Sequence, residues 1–198
     1  MNSALATRSL WGGPLSGSKL VRFIYQDEAG VSPHEPVTVV ASVVIHGDTQ
    51  WKPANEMLAH VRDTQVPEEF REGFFFHCKD IYNDPKKRFR DKWPLDARIE
   101  IIRNVLKIIG ELECGVSIGF SRRHPSNENW NPQVEVKMRH LMAFACRVAG
   151  AHAYMLEKAP GEIATLVAEN TPEMNKWLSD IVDELQKESG IKEMFPTI

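Results

Sequence analysis

The sequence predicts an α/β fold, a mixed sheet that starts antiparallel, continues with parallel strands and is flanked by helices. Three observations carry this prediction. Pro36 to His46 is an almost unbroken run of β-branched residues, two long stretches at 95–110 and 134–156 repeat apolar residues at helical spacing, and strand-like runs at 114–120 and 162–169 alternate with them. With 198 residues, 42% apolar and 26% charged, the chain can bury one sizeable core unaided, so residues 20–198 are expected to form a single domain.

Each element has its own local cause. Residues 1–19, with Gly12, Gly13, Pro14 and Gly17 close together, are expected to be a flexible leader. Leu20 to Tyr25 is a short strand, and Ala29 to Glu35, with Gly30, Ser32 and Pro33, turns the chain into Pro36 to His46, which makes the two strands an antiparallel hairpin. Trp51 to Asp63 spaces Met57, Leu58 and Val61 as a helix does, with Pro53 in the first turn. Three consecutive aromatics, Phe74, Phe75 and Phe76, predict a short strand over Gly73 to His77.

Pro94 opens and Gly110 closes a helix carrying Ile99, Ile102, Val105, Leu106 and Ile109, and Cys114 to Phe120 follows as a strand. Val134 to Leu156 is the longest predicted helix. Its expected inner face carries Met138, Leu141, Met142, Ala145, Val148, Ala149, His152 and Met155, and His140 and His152 are expected to serve packing. Glu162 to Glu169 is a last strand, after which Pro172 starts a helix with Met174, Trp177, Leu178, Ile181, Val182 and Leu185.

The net charge of −3 gives no global signature of a nucleic-acid binder, so any such surface must be local. Three cysteines without a C-x-x-C spacing indicate neither a disulfide framework nor a zinc site. No apolar run approaches the ~18 residues of a membrane helix, and the polar start lacks a secretory core. A cytoplasmic protein with no membrane partner is expected.

A hairpin followed by alternating helices and strands matches the ribonuclease H-like arrangement, in which carboxylates at strand ends hold metal. Water attacking a phosphodiester develops charge on the entering and leaving oxygens, and two divalent cations roughly 4 Å apart stabilise both. Asp27 and Glu28 follow the first predicted strand, and Glu169 ends the last one. If the strand continues, alternation turns Asp27 and Glu28 to opposite faces, and Asp27 is the favoured ligand. Asp27-Glu28-Ala29-Gly30 equally suits a solvated turn.

His77 and Asp80 lie three residues apart, so a first helical turn sets them on one face, where they can bind a cation, pair with each other or cap the helix. Glu169 precedes Asn170, Thr171 and Pro172, a natural helix start, and can act there simply as a favourable charge. Lys86, Lys87, Arg88, Arg90 and Lys92, with Trp93 beside them, can hold a phosphate backbone or form a solvated surface, as can Arg122, Arg123 and His124.

Tyr25-x-Asp27-Glu28-Ala29-Gly30, then Phe76-His77-x-x-Asp80, then an apolar run ending at Glu169, together resemble the bacterial and phage family called domain of unknown function 3800. The resemblance spans Val21 to the C-terminus. It implies a ribonuclease H-like fold with Asp27 as first metal carboxylate and Glu169 as the acid of the later strand, while Glu28, His77 and Asp80 match motif positions. A further Gln-Leu-Ala-Asp-like segment of the family is not found before Phe195-Pro196-Thr197-Ile198, which leaves one carboxylate short and a sheet edge that a second copy can cover. The expectation is a Mg- or Mn-dependent nuclease acting on nucleic acid, and the rival is a non-catalytic ribonuclease H-like binding module of a phage or mobile element.

Overall fold

The computed structural model describes residues 20–86, 88, 89, 92–123 and 131–167. They belong to two compact units, one made of residues up to 47 and from 115 onward, the other of residues 48–114.

In the first unit, β1 (Val21–Ala29) and β2 (Val37–His46) form the expected antiparallel hairpin, in register from Arg22 opposite His46 to Ala29 opposite Val39. β3 (Gly115–Arg122) pairs antiparallel with β2, and β4 (Ile163–Val167) pairs parallel with β1, giving the order β3-β2-β1-β4. The run at 114–120, expected among the parallel strands, is therefore a third antiparallel strand. The result is an α/β architecture on a mixed sheet with one parallel pair.

β1 is longer than its sequence suggests. Asp and Glu are poor strand residues, yet pairing carries the strand through Asp27, opposite Ala41, and Glu28, opposite Val40. The turn then comes at Gly30, whose φ of +75° and whose missing Cβ, which would lie 1.8 Å from the Val37 carbonyl oxygen, both exclude other residues. Thr38 Oγ1 donates to the Gly30 carbonyl at 2.7 Å and closes the turn.

One face of the sheet is covered by α5 (Pro132–Lys158), whose Ala151 and Met155 pack on Ile24 and Val44, while Ala143, Phe144 and Val148 pack on Val40. The inner face of α5 is not the one expected. Val148, His152 and Met155 are buried as foreseen, but Met138, Met142, Ala145 and Ala149 are exposed, and Glu135, Arg139, Ala143, Phe144 and Arg147 point inward instead. The sheet made this choice. Its inner surface offers Thr38, Ser42, Ser117 and Gly119, and a Cβ on Gly119 would stand 1.9 Å from the Ala143 carbonyl oxygen, so the helix backbone lies nearly on the strand. Small and hydrogen-bonding side chains fit there; a row of methionines does not. On the opposite face, Val116, Ile118 and Phe120 of β3 are exposed.

The second unit holds α1 (Trp51–Gln65), α2 (Glu68–Arg71), α3 (Cys78–Asn83) and α4 (Leu95–Glu111). Its core is aromatic. Trp93 stacks on Phe70 at 6.2 Å between centroids and meets Phe89 edge-on at 5.0 Å. Residues 73–77 are not a strand, contrary to expectation: Phe74 and Phe76 turn inward onto this core and touch each other edge-on, and no neighbouring strand is there to pair with them among the described residues. Hydrophobic attraction to Phe70 and Trp93 satisfies the side chains without a ladder. Among the described residues no helix is long and apolar enough to cross a membrane.

Candidate functional site

Asp27 and Glu28 lie inside β1, not after it. Ile24 packs beneath α5 and the Gln26 side chain accepts a hydrogen bond from Arg147 of α5, so alternation places Glu28 on the α5 side and Asp27 with Phe23 and Tyr25 on the other. Asp27 is exposed and Glu28 half-buried. The Asp27 carboxylate accepts the Glu28 backbone N–H at 2.9 Å, which fixes its rotamer while leaving lone pairs for another partner. The two neighbours cannot reach a common ion from the same face.

Two arginines on the inner face of α5 support this strand end, and sequence reasoning passed over both. Arg147 is 2% exposed and donates to Gln26, the residue between Tyr25 and Asp27. Burial pulls its guanidinium down to about 10, so it stays charged at neutral pH. Arg139 reaches the turn beyond Glu28, donating to Thr38 Oγ1 at 3.1 Å and to the Ser32 carbonyl at 3.2 Å. Its Nε lies 2.7 Å from Glu135 Oε1, an ionic contact whose N–H is not aligned for a hydrogen bond. The available signal was charge at positions 135, 139 and 147, each one helical turn or two from the next on a single stripe that also carries Ala143.

His77 and Asp80 are both exposed on the second unit, at the start of α3, where His77 Nδ1 lies 2.9 Å from Asp80 Oδ2. The hydrogen bond from His77 holds the Asp80 carboxyl below the usual aspartate range, helped by nearby Lys86 and Lys79. The His77 side chain makes no capping hydrogen bond to the helix. The two side chains thus pair with each other, as their spacing allowed.

Glu169 lies outside the described residues, as do Lys87, Arg90 and His124. Trp93, which the sequence sets beside the basic cluster, is 2% exposed in the aromatic core and is closed to any ligand. Arg123 is engaged within its own unit, donating to the Pro33 carbonyl and lying 3.7 Å from Glu135. Among the described residues no three His, Cys, Asp or Glu side chains gather as a ligand set. An open cleft of about 450 Å³ between α1 and α4, lined by Met57, His60, Asn104 and Lys107, contains none of the predicted site residues. In comparisons with family models, with curated proteins and with solved structures, nothing matches this chain.

Proposed function

We propose that the chain is a ribonuclease H-like phosphodiesterase of the kind grouped as domain of unknown function 3800, using Mg or Mn to cleave nucleic acid. The observation that carries this reading is the register of β1 against β4, in which Tyr25 stands opposite Val167. Two residues further along the chain from each are Asp27 and Glu169. This reading takes Asp27, two residues past that pair on β1, as the first metal carboxylate. A divalent cation offsets the repulsion between carboxylates that share it.

Three antiparallel strands followed by a helix and a strand parallel to β1 also support the ribonuclease H-like reading. In this proposal Asp27 and Glu169 would hold the metal, whose Lewis acidity would supply charge stabilisation at the phosphate and a more acidic water. Glu28, His77 and Asp80 enter only through the family resemblance, as residues that match its motif positions. A non-catalytic nucleic-acid or protein-binding module is the second reading, favoured by the alternation that leaves β1 a single acid on the Asp27 face.

The test compares wild type with Asp27→Asn on labelled single- and double-stranded DNA and RNA in millimolar Mn, alongside thermal melts with and without metal. A native-state ligand at about 100 times its Kd adds roughly 2.7 kcal/mol of stability. Cleavage and a metal-dependent rise in melting temperature, both lost in Asp27→Asn, are expected. A melting curve indifferent to Mg and Mn, with no cleavage, rejects the enzyme.

A further inference from the structure

The segment around α3 displays two aromatic rings that the core does not use. Phe74 and Phe76 are drawn into the aromatic core, and the chain between them turns Phe75 the other way, where it is 79% exposed. The His77 N–H donates to the Phe75 carbonyl at 2.9 Å, which fixes the bend leading into α3. At the far end of that helix, buried Arg98 donates to the carbonyls of Ile81 and Tyr82, so the Tyr82 backbone is pinned while its ring is 54% exposed.

The same segment carries exposed cations. Asp84 is buried, and its carboxylate accepts the backbone N–H groups of Arg88 at 2.6 Å and Phe89 at 3.0 Å, so its charge is consumed by the loop that it ties down. Lys86 and Arg88, which ride on that loop, are exposed, and the Arg88 guanidinium rests over the Phe89 ring at 5.4 Å. Lys79 is exposed on α3 itself. Lys79 and Lys86 both act electrostatically on Asp80, which places them around the same short helix. Asp80 is already paired with His77.

We propose that this surface binds single-stranded nucleic acid, with unpaired bases lying on Phe75 and Tyr82 and phosphates meeting Lys79, Lys86 and Arg88. Exposed rings on anchored backbones offer stacking at little ordering cost, and phenyl faces accept any base. A duplex hides its base faces and leaves only the phosphates to bind. This inference rests on the nucleic-acid reading above for its class of ligand, but not on metal or cleavage.

The experiment measures anisotropy of a fluorescein-labelled oligothymidylate of about fifteen nucleotides with the full-length chain in EDTA and low salt. Phe75→Ala and Tyr82→Ala are each expected to weaken binding roughly 5- to 150-fold with unchanged melting temperature, while Phe75→Trp keeps it. Lys86→Ala is expected to weaken binding and flatten its salt dependence. The inference is overturned if the oligonucleotide does not bind, if both alanine variants bind like wild type, or if a duplex of equal length binds as tightly. Ring-dependent binding without any cleavage removes the nuclease alone; cleavage without ring-dependent binding removes this surface alone.

Discussion

Replacing Arg139 with methionine removes the cation that ties α5 to the turn following Asp27 and Glu28. The side chains of Arg139 and Glu135 are only 3% and 4% exposed, so the loss strands a carboxylate in the interior. Glu135 keeps Arg123, but at 3.7 Å and from a residue whose side chain is 43% exposed, too solvated to neutralise a buried charge fully. The Ser32 carbonyl loses its guanidinium donor, whereas Thr38 Oγ1 still has the Gly30 carbonyl to donate to and costs little. Breaking a buried pair from one side typically costs about 3–5 kcal/mol, and that is the expected destabilisation. Urea unfolding followed by circular dichroism measures it. Combining Arg139→Met with Glu135→Leu removes the stranded charge, and the pair of changes is expected within about 1 kcal/mol of wild type. A single variant that loses less than about 1 kcal/mol, or a double variant as unstable as the single, refutes the assignment of this contact as the anchor of the turn.

Gly30→Ala puts a methyl group 1.8 Å from the Val37 carbonyl oxygen at a φ of +75°, so it is expected to lose the hairpin register, seen as a drop of about 3 kcal/mol or more in chemical denaturation. At Arg147, a guanidinium that burial pulls down to about 10 sits in the interior with Gln26 as its hydrogen-bond partner; Arg147→Met with Gln26→Leu is expected to match wild type or exceed it by about 1–4 kcal/mol, and a clear loss of stability contradicts this. Asp80 has its folded pKa lowered by the His77 hydrogen bond, so its contribution is present above the ordinary aspartate range and is lost as pH falls through the lowered value. Carboxyl carbon NMR is expected to show Asp80 titrating low in wild type and returning to the ordinary range in His77→Ala.

The hairpin was legible because two independent local signals agreed: the valine run cannot be a turn, and Gly30 supplies the one backbone conformation that the bend needs. Helices α1, α4 and α5 were legible from the helical spacing of apolar residues, with Pro94 opening α4; Gly110 does not close it, since α4 runs on to Glu111. The rest required partners. Asp27 and Glu28 look like a turn until β2 is set beside them, since the pairing with Ala41 and Val40 offsets their poor strand propensity. Phe74 to Phe76 look like a strand until Phe70 and Trp93 are seen to take the alternate rings inward.

By itself the sequence determined the hairpin, the strands near 115 and 163 and the helices opening near 51, 95 and 132, that Asp27 and Glu28 must part to opposite faces once in a strand, and that His77 and Asp80 come within reach of each other. Those follow from bond geometry and the periods of two and 3.6 residues. Only the tertiary structure decided which face of α5 lies inward, that Arg139 and Arg147 serve the end of β1, that the strand at 115–122 runs antiparallel to β2, and that Trp93 is sealed while Phe75 and Tyr82 stand open. The reason is physical: α5 carries apolar residues on more than one side, and the closest fit to a sheet surface of Gly119, Ser117 and Thr38 selects among them, which no period within the helix can encode.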